Sequence, residues 1–269
     1  MKFSNANSKI DALKKVPELA HYLYNKRKVY SFDLLSGHSC PFAKNCLSKA
    51  IQYIDTDTGK TRRKIKDGKH TEFRCFSASQ EVQYTNVYNL RKGNFDELRT
   101  MKTSDDMAYA IAHAMPDNAG IIRIHVGGDF FNFKYFLAWC KVAIDNPNVL
   151  FYAYTKSLQF WLRAANVDAI PDNFILTASR GGRLDHLIDQ HNLRESVVVY
   201  SESEAADKGL QIDHTDELAA MPSNKNNSFA LLVHGTQPKG SEASDALKLL
   251  RKNNVKHSYS KKAKKLMKV

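Results

Sequence analysis

Six short apolar runs, separated by polar or glycine turns, are the feature that most limits how this chain can fold. They are rich in β-branched and aromatic residues, and helical stretches follow several of them. Strands that are buried on both faces have this composition, which is typical of parallel sheets with helices between the strands. The runs occupy residues 28–35, 121–126, 149–154, 174–179, 196–201 and 229–234, and the helical stretches occupy 132–145, 157–165, 183–192, 202–208 and 241–253.

Six strand–helix units predict an α/β fold and leave two architectures open. One is a doubly wound sheet, and the other is a partial or full TIM-type (β/α) barrel, which we favour. Because no linker rich in proline, glycine or serine divides the chain, we expect one barrel domain over residues 1–250 and a basic tail over 251–269. An insertion at about 47–115 follows the first strand. We expect it to be helical and basic, with a capped helix beginning near Ser104.

Three of the four cysteines are placed to bind a metal. Cys40 and Cys46 lie in the loop SGHSCPFAKNC after the first strand, and Cys75 follows in the segment FRCFSA. The N-terminus has no apolar leader, so we expect a cytoplasmic chain, in which clustered cysteines more often bind metals than form disulfides. Three thiolates suit a [4Fe–4S] cluster that leaves one iron open to a ligand. Cys140 lies on an apolar helical stripe with Phe136 and is expected in the core.

Two other interpretations of the cysteines stay open. His38 completes a Cys₃His set for zinc, although the paired CxxC spacing of most zinc sites is missing. Alternatively, the three cysteines are unrelated small apolar side chains, since free cysteine is among the residue types that are most often buried. A reduced compartment favours the metal interpretations, and we take the iron–sulfur cluster as the main prediction.

Functional side chains of parallel α/β folds gather at the carboxyl ends of the strands. Gly127, Gly128 and Asp129 follow the second run, where two glycines let a ligand approach the backbone and the acid offers a carboxylate. The same rule predicts a substrate pocket from residues at or near the ends of the runs. Its candidates are His125, Thr155, Lys156, Ser179, Arg180, Glu202 and His234.

Arg123 and His125 fall on one face of the second run, because side chains alternate along a strand. If that face points into a barrel, Arg123 needs a partner, and an ion pair with Asp33 of the first run is one interpretation. A functional role is the other. The strand-end cations and the histidine offer an anionic substrate further partners: Lys156, Arg180 and His234.

The cysteine loop after the first strand and the Gly-Gly-acid turn after the second resemble the layout of the radical S-adenosylmethionine (SAM) enzymes. In that superfamily three cysteines hold a [4Fe–4S] cluster at the mouth of a partial barrel of six β–α units, and a Gly-Gly-Glu segment contacts the methionine amino group. The resemblance implies that Cys40, Cys46 and Cys75 bind the cluster and that residues 127–129 bind SAM. Here five and twenty-eight residues separate the cysteines, and Asp129 replaces the glutamate.

Over most of its length the chain also resembles a bacteriophage family of unassigned role, gene product 88. The similar stretches are SGHSCPFAKNC, FRCFSASQE, RIHVGGDFFN, FYAYTKS, LTASRGG and FALLVHGTQPKGSEA. This resemblance implies a virus-encoded protein that acts in the host cytoplasm.

Two functions are consistent with these features. The first is a phage-encoded iron–sulfur enzyme that acts on SAM, or on a small thiol or other sulfur-containing ligand, by radical or by non-redox lyase or desulfurase chemistry. The second is a nucleic-acid-binding protein with a structural zinc or iron–sulfur site. The net charge of +12 and the basic stretches at 60–69 and 251–269 favour contact with a polyanion. No membrane partner is expected, since no apolar run approaches the roughly 18 residues of a span.

Overall fold

A seven-stranded sheet organises the chain in a computed structural model, which describes residues 1–255. At one edge, β1 (Ser4–Asn5) pairs antiparallel with β2 (Lys28–Phe32). The remaining strands run parallel to β2 and stand side by side in the order of the sequence. They are β5 (Ala119–Ile124), β6 (Leu150–Thr155), β7 (Phe174–Ser179), β8 (Glu195–Val199) and β9 (Phe229–Leu232), and β9 forms the other edge in the described part of the chain.

A helix follows each of the strands β5, β6, β7, β8 and β9 along the chain. The prediction is confirmed as a mixed α/β fold with a mostly parallel sheet flanked by helices. The helices are α1 (Phe76–Gln83), α2 (Thr85–Thr100), α3 (Ser104–Ala114), α4 (Phe133–Asp145), α5 (Leu158–Ala165), α6 (His186–Gln190), α7 (Glu202–Asp207), α8 (Glu217–Ala220) and α9 (Glu242–Lys252). Short 3₁₀ helices occupy Ile10–Lys15, Pro17–Leu23 and Pro222–Asn224.

The sheet has one face that is covered by long helices. Phe32, Ile124 and Phe151 point to this side and pack with Trp139 of α4, whose ring centroid lies 5.4 Å from that of Phe32. Each such side chain stabilises the fold by about 1.5–3 kcal/mol when it is fully buried. Because the opposite side is covered as well, every residue of β5 is buried. This explains why the strands read as continuous apolar runs.

The opposite face, which we call the cavity face, is filled by short segments near the amino ends of the strands. There Ile121 and Leu150 pack against Leu13 of the first 3₁₀ helix and Leu218 of α8. Towards the carboxyl ends of the strands the filling stops. The cavity face then carries polar side chains, among them Arg123 of β5.

The insertion after β2 differs from the helical prediction. It begins with a hairpin of two strands, β3 (Ser48–Ile54) and β4 (Thr61–Asp67), which pair only with each other in the described part of the chain. Helices α1, α2 and α3 complete the insertion, and α3 begins at Ser104 as predicted.

Most of the basic segment at 60–69 is therefore the strand β4. The turn between β3 and β4 explains why the two strands form a hairpin. Asp55 accepts hydrogen bonds from the amide and hydroxyl of Thr58, and Gly59 takes a positive φ of 65°. Both are turn features. The strand was missed because β4 is half exposed and carries alternating charged residues in place of an apolar run.

The end of the chain is described as far as residue 255. Helix α9 continues to Lys252, so the predicted tail at 251–269 begins inside a helix, and its residues 256–269 lie outside the described residues. Within residues 1–255, no helix has both the length and the apolar character that a bilayer crossing requires.

Candidate metal centre

One cavity lies at the carboxyl ends of the parallel strands, and three cysteines border it. Cys40, Cys46 and Cys75 are half-buried, each is a free thiol, and all three line the cavity wall. The cavity encloses about 1090 Å³ of atom-free space, including its open mouth. Cys140 lies elsewhere, buried in α4 as the sequence predicts. The structure thus brings together the three cysteines that the sequence selects and separates the fourth.

Backbone hydrogen bonds of Asn45 bring together the segments that carry the three cysteines. The Asn45 amide donates to the Gly181 carbonyl at 2.9 Å, which fixes the loop that carries Cys40 and Cys46 to the turn after β7. The Asn45 carbonyl accepts from the Glu72 amide at 2.8 Å and from the next amide at 3.2 Å. Since the β3–β4 hairpin returns the chain to this point, Cys75 arrives beside Cys46.

Cys40 lies among other acidic groups. Burial raises the pKa of the Cys40 thiol well above its ordinary value, and the nearby Asp129, Cys75 and Cys46 raise that pKa further. The Gly37 amide donates to the Cys40 Sγ at 3.2 Å and opposes the rise. A thiolate at this position therefore needs a positively charged partner.

Cys75 stands immediately before α1, where backbone amides point out of the helix. Burial raises the pKa of Cys75 to about 11, and Cys46 adds to the rise. The amides of Ala78 and Ser77 lower the pKa, because a helix N-terminus favours negative charge. Cys75 is thus protonated when it has no metal partner, while the amides in place favour its thiolate.

These features fit an iron–sulfur cluster. Thiolates are soft donors that retain iron, and amides directed at the sulfurs are the usual hydrogen bonds around a cluster. A metal would also remove the protons that burial keeps on Cys40 and Cys75. Because the three sulfurs border a cavity, an open iron would be accessible to a small ligand.

His38, the fourth ligand of the zinc interpretation, lies at the protein surface. Its ring is exposed, its Nε2 lies 3.1 Å from the Ala50 carbonyl oxygen, and it is not part of the cavity wall. Among residues 1–255, no three His, Cys, Asp or Glu side chains stand close enough to hold a single ion.

The Gly-Gly-Asp turn also lines the cavity, and packing requires both glycines. A Cβ on Gly127 would lie 2.4 Å from the Ser77 Oγ of α1. Gly128 has a φ of 97°, and a Cβ there would lie 2.7 Å from the Leu34 Cβ and from the Ser39 Oγ. The turn is therefore pressed against the cysteine loop and α1.

Asp129 is buried and accepts three hydrogen bonds. Its donors are the Phe130 amide at 2.7 Å, the Thr155 hydroxyl at 2.6 Å and the Lys156 amide at 2.9 Å. Burial raises the pKa of Asp129 to about 6, against the lowering effect of these bonds. The carboxylate ties the turn after β5 to the end of β6 and faces the cavity between them.

Five of the seven predicted pocket residues line the cavity. They are His125, Thr155, Lys156, Ser179 and His234. The Lys156 ammonium donates to the Ser179 carbonyl at 2.7 Å, the Ser179 hydroxyl at 2.9 Å and the Arg180 carbonyl at 2.8 Å. An ammonium has three donors, so Lys156 shapes the turn after β7 and has none left for a ligand.

The other two predicted pocket residues lie outside the cavity lining. Arg180 pairs with Asp189 at 2.6 Å and with Glu195 at 3.1 Å, and these carboxylates raise the Arg180 pKa. Its side chain is drawn towards the start of β8, where Glu195 stands. Glu202 is the exposed first residue of α7.

His125 does line the cavity, but it is not a strand residue. Strand β5 ends at Ile124, and His125 takes a positive φ of 69°. Its Nε2 lies 2.9 Å from the Tyr135 hydroxyl, while its buried Nδ1 has no hydrogen-bond partner among the described residues. Burial, and secondly Arg123, lower the pKa of His125 to about 3, so the ring is neutral at pH 7.

Arg123 pairs with Asp216, and the expected partner Asp33 is used elsewhere. Asp33 accepts the Gly127 amide at 3.1 Å, whereas Asp216 binds both Arg123 and the Lys9 Nζ, the latter at 2.8 Å. Sequence reasoning missed Lys9 and Asp216, because both stand before short helical segments and away from the strand ends. No motif in the sequence marks either residue.

The sequence profile of the gene product 88 family matches residues 1–253 of the chain. The chain belongs to the gene product 88 family. The predicted resemblance to this family is thus confirmed over residues 1–253. A relative is the Gene 88 protein of Mycobacterium phage L5, which is 53% identical over 36 residues and supports a bacteriophage origin. The matched segment is 13% of this chain and 15% of the relative. No solved structure matches this gene product 88 chain.

Proposed function

We propose that this gene product 88 chain holds a [4Fe–4S] cluster on Cys40, Cys46 and Cys75 and acts as an enzyme on a small molecule in the adjoining cavity. One observation carries the proposal: three cysteines, separated by five and twenty-eight residues, border a single cavity at the carboxyl ends of parallel strands. When bound through three thiolates, such a cluster supplies one-electron reduction of SAM, or Lewis-acid chemistry for dehydration or desulfuration, at its open iron.

The chain's own residues would hold and tune the cluster. The Gly37 amide stabilises the Cys40 thiolate, and the amides at the start of α1 act on Cys75 in the same way. Residues 127–129 line the cavity and pack against the cysteine loop and α1. Asp129, with a pKa near 6, presents a carboxyl group to a ligand in the cavity.

The strand order supports a partial barrel of the radical SAM type. These parallel strands follow one another in sequence order. Because connections between parallel strands are right-handed as a rule, such an order places the connecting helices on one side of the sheet and leaves the other side for a ligand. The wall position of residues 127–129 supports SAM as that ligand. A small thiol or other sulfur-containing molecule at the open iron is the alternative within the same proposal.

Anaerobic purification followed by absorption and electron paramagnetic resonance spectroscopy tests this function. We expect a brown protein whose reduced form shows a cluster signal, and a change of that signal when SAM is added. If SAM leaves the signal unchanged and a small thiol alters it, the ligand is the thiol. A colourless protein with one zinc ion per chain would contradict the proposal.

A second candidate function is supported by the exposed face of the β3–β4 hairpin. On this face Tyr53 stands opposite Arg62, Ile51 opposite Lys64, and Lys49 opposite Lys66. The Lys64 Nζ lies 5.2 Å from the Tyr53 ring centroid. Exposed cations with an interleaved aromatic residue suit the phosphates and bases of a nucleic acid. The hairpin would then bind the polyanion, and the cysteines would hold a structural metal.

Salt dependence tests this second candidate. The double variant Lys64→Gln/Lys66→Gln removes two charges from the hairpin face, so the slope of log K against log salt should fall by about 2 for DNA. The matched control, Lys141→Gln/Lys248→Gln, removes two charges from α4 and α9, where each lysine pairs with a carboxylate. Equal slopes for the two double variants would exclude the hairpin as the binding face.

A further inference from the structure

We propose that the cavity contains an anion-binding subsite formed by Lys9 and Arg123, which takes the carboxylate or phosphate group of a small-molecule ligand. The inference rests on the proposed function, since it names the class of molecule that the same cavity accepts. The sequence raised an anionic substrate only for Lys156, Arg180 and His234. Lys9 was not among the candidates, and for Arg123 an ion pair with Asp33 and a functional role both stayed open.

One carboxylate, that of Asp216, binds both cations. Asp216 has a fully buried side chain and binds Lys9 and Arg123, whose side chains keep 12% and 11% of their surface exposed. Both cations line the cavity. The carboxylate therefore fixes the positions of both cations on the cavity wall.

Cations outnumber carboxylates among the residues that line the cavity. Four cations and two carboxylates line the cavity: Lys9, Arg74, Arg123 and Lys156 against Asp129 and Asp216. The Lys156 ammonium is used by three oxygens, and Arg74 pairs with Asp67 at 2.5 Å. Lys9 and Arg123, in contrast, share one carboxylate, that of Asp216. Positive charge on low-dielectric walls raises the local concentration of anions.

Two neighbouring side chains contribute to the subsite beside the two cations. The Arg123 guanidinium stacks on the Tyr154 ring, 4.9 Å from its centroid, which limits the orientations of the guanidinium. His125 is 3% exposed and leaves its Nδ1 without a partner among the described residues. A buried polar atom without a partner on a cavity wall leaves a hydrogen bond open to a ligand or a water molecule.

The helical segments that position Lys9 and Asp216 give the N-terminal segment a role in the cavity. Lys9 directly precedes the first 3₁₀ helix, and Asp216 directly precedes α8. Both segments fill the cavity face of the sheet near the amino ends of the strands. They form the floor of the cavity, and the residues that precede them, Lys9 and Asp216, line the cavity with Arg123.

Anion binding to the full chain at constant ionic strength tests the subsite. Inorganic phosphate and acetate are titrated separately, and the melting temperature is followed. We expect a saturable rise with at least one of them, and the anion that binds more tightly identifies the phosphate or the carboxylate class. Lys9→Gln should weaken that binding at least tenfold. Lys14→Gln, at an exposed lysine of the same 3₁₀ helix, should leave it unchanged.

A measurement on the unaltered chain covers the case in which Lys9→Gln fails to fold. The bound anion should protect Lys9 from acetylation, read by mass spectrometry, with Lys14 as the internal reference. Absence of saturable binding, or equal labelling of Lys9 with and without anion, would overturn the inference. Iron is measured on the same samples. Anion binding without iron would reject the cluster and keep the subsite, whereas iron without anion binding would do the reverse.

Discussion

His125 combines a left-handed backbone, full burial and a ring nitrogen that has no partner among the described residues. The left-handed conformation costs a non-glycine residue about 1–2 kcal/mol. Its backbone amide donates to the Phe32 carbonyl at 2.8 Å and its ring contacts Tyr135, so the sheet and α4 hold the strained residue in place. Strain that the surroundings enforce is typical of residues that serve a ligand.

The depressed pKa of His125 predicts how stability depends on pH. The folded pKa is about 3 and the ordinary value is 6.5. Below pH 6.5 the unfolded chain therefore binds a proton that the folded chain rejects, and stability falls as the pH drops. Between pH 7 and pH 5 this histidine costs about 2 kcal/mol of the free energy of unfolding.

His125→Asn should remove that loss, because asparagine does not titrate and tolerates a positive φ. Urea unfolding at pH 7 and pH 5 measures the effect, since other titrating groups act equally on both proteins. We expect the variant to lose about 2 kcal/mol less than the wild type over this interval. Parallel pH curves for the two proteins would show that His125 carries its proton in the folded state.

At the scale of the elements, α1 and α2 position the cysteine loop through a buried ion pair. Glu81 of α1 is fully buried and accepts from the Ser36 amide at 2.9 Å and from the Arg91 guanidinium at 3.1 Å. Ser36 begins the loop that leads to Cys40. The pair thus connects two helices of the insertion to the first segment of the metal centre.

Glu81→Gln should destabilise the chain by about 3–5 kcal/mol, since it leaves the buried charge of Arg91 without its counterion. The matched control is Asp245→Asn, which breaks an exposed pair with Lys248 and should cost no more than about 1 kcal/mol. Urea unfolding of both variants measures the two losses of unfolding free energy. If the two losses are similar, the Glu81–Arg91 pair does not hold the loop.

The strands differ in how well the sequence predicted them. The six apolar runs became strands of the main sheet, because burial on both faces demands an apolar side chain at almost every position. The β3–β4 hairpin was missed for the opposite reason. Its second strand packs on one side only and carries Arg62, Lys64 and Lys66 on the exposed side, so charge conceals its period of two.

At the scale of the whole molecule, the sequence predicted the three cysteines on one wall but not the floor beneath them. Strand ends can be located from apolar runs, and five of the seven pocket candidates at those ends line the cavity. Lys9 and Asp216 arrive through packing of the N-terminal segment and α8 on the cavity face. Such long-range packing leaves no local pattern, so the charged floor is visible only in three dimensions.

The iron and sulfide content of the four single Cys→Ala variants, purified anaerobically beside the wild type, tests the central claim most directly. We predict about four irons and four sulfides per chain in the wild type. Cys140→Ala should retain them, since Cys140 is buried in α4 away from the cavity. Cys40→Ala, Cys46→Ala and Cys75→Ala should each lose most of the iron. Full iron in Cys75→Ala, or loss of iron in Cys140→Ala alone, would contradict the assignment of the metal centre.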